Sequence, residues 1–140
     1  MAALYDSGYR HLTAFDYSPD AIARAASLFA PREIELLCAD ATALPFEGTA
    51  LFDAALDKGA LDAVGIGGRE SLAAAVSELA RVVAPGGVVV SISRALEEEE
   101  ITGAFPSSEW LMVRDGGLHI CESGEVSTDL AASLYAWQRR

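Results

Sequence analysis

A chain of 140 residues, 51% hydrophobic and 22% charged, is long enough for one globular domain with a sizeable core. Its 21 acidic and 10 basic residues leave a net charge of -11, which repels phosphate backbones and argues against nucleic acid as a ligand. Cys38, Cys121, His11 and His119 are too scattered for a disulfide framework or a metal site, so a reducing, cytoplasmic compartment is expected. No apolar run approaches the ~20 residues of a membrane span, and the N-terminus shows no signal-peptide pattern.

In chain order, Met1 to Tyr9 reads as the end of a helix stopped at Gly8. His11 to Phe15 (HLTAF) is a β-prone run ending at Asp16. Ser18 as N-cap, Pro19 at the first helical position and Asp20 in the first turn then start a helix. Ile22, Ala25, Ala26 and Phe29 fall on one face of it, and Pro31 ends the pattern. Glu33 to Cys38 is a second strand, followed by Asp40. Leu51 to Leu56 is a third, short and apolar enough to be covered on both faces, broken by Asp57, Lys58 and Gly59. Gly65, Gly67 and Gly68 predict a flexible turn, and Ser71 opens a helix with an apolar stripe of Leu72, Ala75, Val76, Leu79, Ala80 and Val83. Pro85, Gly86 and Gly87 stop that helix, and Val88 to Ser93 (VVVSIS) is a fourth strand. After Ala95 come the acidic run Glu97 to Glu100, a loop at Pro106 to Ser108, and terminal strands expected within Trp110 to Arg114, Leu118 to Glu122 and Ala131 to Gln138. Alternation of strand and helix up to Ser93 predicts an α/β domain with a mostly parallel sheet and an irregular or antiparallel end.

Three of the first strands end near an acid: Asp16, Asp40 and Asp57. Parallel strands place these on one edge of the sheet, where ligands bind in open α/β folds. A carboxylate there can accept both ribose hydroxyls of a nucleoside, and one on the next strand can reach an adenine amino group. Acids at strand ends also serve as turn formers and helix caps.

The segments LYDSGYRHLTAFDYSPDAI, CADATALPF, FDAALDKGALDAV and LARVVAPGGVVVSIS, spread from Leu4 to Ser93, resemble class I S-adenosylmethionine-dependent methyltransferases. DYSP followed by DKGALDA is similar, more narrowly, to the methyltransferase-like group of protein lysine methyltransferases. The resemblance implies a Rossmann-like sheet, S-adenosyl-L-methionine as cofactor and a protein substrate. It implies that Asp16 binds the cofactor ribose with Tyr17 beside the adenosine, that Asp40 and Ala41 address adenine, and that Lys58 lines the cofactor pocket. Asp57 matches a carboxylate facing the methyl-transfer centre, where it would hold and align the incoming amine. Deprotonating a lysine from a pKa near ~10.4 costs roughly 4 to 5 kcal/mol at neutral pH, which an aspartate is too weak a base to supply.

The resemblance also implies that residues 1–140 form a single, incomplete domain. The family pattern opens with a central strand and a glycine-rich loop, and on the order of 30 residues of that βα beginning have no counterpart here. Open strand edges, association through them and weak cofactor binding follow as expectations. Two other functions compete: a non-catalytic partner for a complete methyltransferase, and a nicotinamide-dependent oxidoreductase, whose ribose-binding acid occupies the same place. Glu97 to Glu100 read as a solvated helix face or as an attractor for a basic substrate.

Overall fold

The computed structural model describes residues 1–119 and 132–140. Their contacts divide into two compact units, Met1–Pro45 and Phe46–Arg140.

The first unit holds α1 (Ala2–Asp6), β1 (Thr13–Asp16), α2 (Pro19–Phe29) and β2 (Glu35–Cys38). β1 and β2 are parallel, with Thr13 opposite Glu35 and Asp16 opposite Cys38, as a strand–helix–strand crossover requires. The helix starts where the sequence places it: the Ser18 hydroxyl oxygen accepts from the Ala21 amide at 3.3 Å. A cap of this kind contributes about 1 kcal/mol. Ile22, Ala25 and Phe29 are half-buried, but Ala26 is exposed, so the stripe is narrower than its spacing predicts. Arg32 donates to both Asp6 oxygens, at 2.8 and 2.7 Å, tying α1 to the turn after α2.

The second unit holds β3 (Phe52–Lys58), α3 (Ala60–Gly65), α4 (Arg69–Val82), β4 (Val83–Ser93), α5 (Glu98–Gly103), β5 (Trp110–His119) and β6 (Ser133–Arg139). Its sheet has the order β3-β4-β6-β5, parallel between β3 and β4 and antiparallel beyond. The antiparallel end is as the sequence predicts; of the Leu118 to Glu122 candidate, only Leu118 and His119 lie within the described residues. One sheet face carries Val89, Ser91, Tyr135 and Trp137, all buried; the opposite face, with Val88, Val90, Ile92, Leu134 and Ala136, is only half-buried. Leu72, Ala75 and Val76 of α4 are buried in the core, and Phe105 stacks on Trp137 with ring centroids 3.7 Å apart.

Several features differ from the sequence reading. β3 is not covered on both faces: Leu56 is 59% exposed, and among the described residues the strand pairs only with β4. The strand also continues through Asp57 and Lys58 instead of breaking there. The segment after Gly59 forms α3 before the glycine turn, and α4 starts at Arg69, two residues ahead of Ser71. Finally, Pro85, Gly86 and Gly87 are not what ends α4. The helix stops at Val82, Val83 already pairs with Phe52, and Ala84 to Gly87 bulge out before pairing resumes at Ala54 and Val88. Gly87 is required by space, since a Cβ there would lie 2.8 Å from the carbonyl oxygens of Asp53 and Ala84.

Candidate functional site

Asp16 is the last residue of β1 and is exposed. Its Oδ1 accepts from the Ser18 amide at 2.9 Å, a local turn that orients the carboxylate while Oδ2 stays open to a ligand. Tyr17 is 78% exposed, so it is not a core aromatic. Asp40 stands two residues beyond the end of β2, and its Oδ1 accepts from both the amide and the hydroxyl of Thr42 at 2.8 Å. Those bonds, the backbone one foremost, hold its carboxyl below the ordinary carboxylate range. With Asp16 opposite Cys38 in the parallel ladder, Asp16, Tyr17, Asp40 and Ala41 gather at the carboxyl ends of the same strand pair. Two acceptors at neighbouring strand ends, each steadied by its own turn, suit the hydroxyls and amino group of an adenosine.

Asp57 and Lys58 lie at the carboxyl end of β3 in the other unit. Lys58 is exposed. Asp57 is half-buried and heavily engaged: Oδ1 accepts from the Ala60 amide at 2.8 Å and the Leu61 amide at 3.2 Å, and Oδ2 accepts from the Ser91 hydroxyl at 2.6 Å. It therefore satisfies the open amides at the start of α3 and ties β3 to β4. Gly59, at φ 83, lets the chain fold back so that those amides reach it. Burial raises the Asp57 carboxyl above its ordinary value, and the nearby Asp62 adds to this, against the lowering by its three donors. Three of its roughly four acceptor positions are used, which leaves one for an incoming group.

Sequence reasoning missed the partners of this arrangement. Asp62, buried in α3, accepts from the Ser93 hydroxyl at 2.5 Å and the Arg94 amide at 2.7 Å. Ser91 and Ser93 are buried as well. The signal lay in VVVSIS: small hydroxyls alternating with Val90 and Ile92 put two polar side chains on one strand face, and buried hydroxyls need partners.

Among the described residues no group of three or more His, Cys, Asp or Glu could hold a metal, and no helix is long and apolar enough to cross a membrane. A cleft lined by Ala50, Ser77, Arg81, Pro85, Glu109 and Arg139 opens at the other end of β4. Its arginines serve the fold: Arg81 donates to the Phe46 carbonyl at 2.9 Å and Arg139 to the Ala80 carbonyl at 3.1 Å, steadying chain ends around α4.

Acids at the carboxyl ends of parallel strands, in this element order, agree with what comparison with known proteins finds. Residues 1–91 match the family described as a methyltransferase domain. The chain belongs to that family. Its cofactor is S-adenosyl-L-methionine, and the α/β, Rossmann-like architecture is that of the class I methyltransferases. The nicotinamide reading falls with this match.

Among solved structures, the chain is similar to the N-methyltransferase NodS from Bradyrhizobium japonicum WM9 in complex with S-adenosyl-L-homocysteine. The two are 21% identical with a TM-score of 0.71, over 92% of this chain and 66% of that one. A structure described as the conversion of a disulfide bond into a thioacetal group during echinomycin biosynthesis is 22% identical with a TM-score of 0.75, over 99% and 70% of the two chains. A complex between the Haloferax volcanii Trm112 methyltransferase activator and a methyltransferase gives 17%, a TM-score of 0.73, and 97% and 75%. The chain thus spans between 66% and 75% of the length of these structures, and at such identities the likeness speaks for the fold alone. No curated protein matches the chain.

Proposed function

We propose that the chain is a cytoplasmic methyltransferase domain that moves the methyl group of S-adenosyl-L-methionine to a lysine of a basic protein. The observation that carries the reading is the presence of both DYSP and DKGALDA, the first at the carboxyl end of β1 and the second at that of β3, with Asp16 steadied by the Ser18 amide. In this reading Asp16 takes the ribose hydroxyls, Tyr17 covers the adenosine, Asp40 and Ala41 address adenine, and Lys58 lines the cofactor pocket. The remaining acceptor position of Asp57 would hold and align the incoming amine, so that positioning supplies most of the acceleration. The cofactor supplies the electrophilic carbon. With the cofactor bound, the amine would release its proton to water and take the methyl group, and S-adenosylhomocysteine would leave.

The second reading, a non-catalytic partner of a complete methyltransferase, draws on the edge of β3 that has no strand partner among the described residues and on its exposed Leu56. The net charge of -11 suits a basic protein partner in either case.

Incubation with methyl-tritiated cofactor and a lysine-rich protein tests the first reading. Label should enter the native acceptor and not a copy whose lysines are already fully methylated. Equal label in both, or none in either at high enzyme concentration, rejects lysine methylation by this chain.

A further inference from the structure

We infer that Asp62 is a positioning residue that fixes the segment Ser93–Leu96, and with it the side of the site that meets the methyl acceptor. The inference rests on the reading above, in which Asp57 holds the incoming amine: β4 runs parallel to β3 with Ser91 opposite Asp57, so the chain leaving β4 starts from the same end of the sheet as Asp57. α3 holds this segment at two points one helical turn apart. At the first, the buried Asp62 carboxylate accepts from the Ser93 hydroxyl at 2.5 Å and from the Arg94 amide at 2.7 Å. At the second, Leu96 lies against Gly65 so closely that a Cβ on residue 65 would sit 2.4 Å from the Leu96 Cδ2. Residues three apart on a helix share a face, so Asp62 and Gly65 present one surface to the chain leaving β4.

α3 is itself anchored, because Asp57 holds its first amides and the Ser91 hydroxyl. Ser91 and Ser93 are alternate residues of one strand, and each is paired with an acid from the β3–α3 stretch. The segment therefore leaves the sheet in a direction set by buried, charge-assisted hydrogen bonds, which are the stronger kind. Beyond Leu96, Glu97 caps α5 in a reciprocal box with Glu100, so displacement of the segment carries the start of that helix with it.

Two substitutions separate this role from general support of the fold. Asp62→Asn keeps one acceptor oxygen but turns an NH2 group toward the other donor. Gly65→Ala pushes the end of the Leu96 side chain and leaves every hydrogen bond of Asp62 in place. Amide hydrogen exchange on the 140-residue protein should rise about 10-fold at Arg94 in Asp62→Asn and stay near wild type there in Gly65→Ala, while Ala54 to Leu56 and Val88 to Val90 keep their protection in both. With the lysine-rich acceptor, both variants should raise KM and leave S-adenosylhomocysteine affinity unchanged. Exchange that is unaltered at Arg94 in Asp62→Asn, or raised equally throughout the sheet, overturns the inference, as does an equal loss of S-adenosylhomocysteine affinity. Wild-type protein that binds no S-adenosylhomocysteine refutes the methyltransferase reading instead, and the exchange pattern still decides whether Asp62 fixes the segment.

Discussion

Replacing Asp57 removes a group with three structural partners, and the two obvious replacements should behave differently. Asp57→Ala leaves the Ala60 and Leu61 amides without their acceptor and strands the fully buried Ser91 hydroxyl. Loss of a cap costs about 1 kcal/mol, and a buried hydroxyl without a partner costs about 1–3 kcal/mol. Relief from burying a carboxylate offsets part of this, so a net loss of about 2 kcal/mol is expected. Asp57→Asn keeps an oxygen for the two amides and offers an NH2 to the Ser91 oxygen, so its loss should stay within about 1 kcal/mol. The pH dependence has a definite sign. The folded Asp57 carboxyl is raised from its ordinary 3.8, so above that pH the folded state holds a proton that the unfolded state has lost. The contribution of Asp57 therefore declines as pH rises from 3.8 through the folded value, and this decline should vanish in Asp57→Asn. Urea unfolding followed by circular dichroism across that range measures both effects. An Asp57→Ala protein as stable as wild type, or an Asp57→Asn protein with an undiminished pH slope, refutes the assignment of these three bonds.

Other consequences are as direct. Ser18→Ala should lower stability by about 1 kcal/mol through loss of the α2 cap, seen as a lower urea midpoint at unchanged slope. Gly87→Ala should cost about 1–3 kcal/mol, because the obstructing atoms are backbone carbonyls that cannot swing aside. Thr42→Val removes one of two donors to Asp40 and should move that carboxyl back toward its ordinary value, followed by NMR titration; the remaining amide bond keeps part of the lowering.

Much of the chain was readable because its signals are local. Ser18, Pro19 and Asp20 specify the start of α2 within three residues, and VVVSIS specifies β4 by β-branching. α3 was not readable, since Gly59, Gly65, Gly67 and Gly68 around it argue for turns. What makes ALDAV helical is tertiary: a cap from Asp57 upstream and an anchor from Asp62 to a strand 31 residues away. The burial of β3 was misread for a related reason. An apolar run predicts cover only where a neighbour exists, and β3 has β4 on one edge and no strand partner on the other among the described residues. Of the candidate site, the place of Asp16 at the end of β1 and of Asp40 just beyond β2 was legible, whereas β3 runs on through Asp57 and Lys58. The use of Asp57 as a cap was not legible, because its partners lie on a helix that the glycines concealed. The acidic run Glu97 to Glu100 likewise has a local explanation, since it opens α5, where negative charge meets the positive end of the helix dipole.

The claim that organises the account is that the acids at the strand ends hold S-adenosyl-L-methionine. Isothermal titration of the 140-residue protein with S-adenosylhomocysteine tests it most directly. Saturable one-to-one binding, abolished by Asp16→Ala and retained in Ser18→Ala at a temperature where both variants are folded, is the predicted result. Absence of binding, or binding indifferent to Asp16, contradicts it.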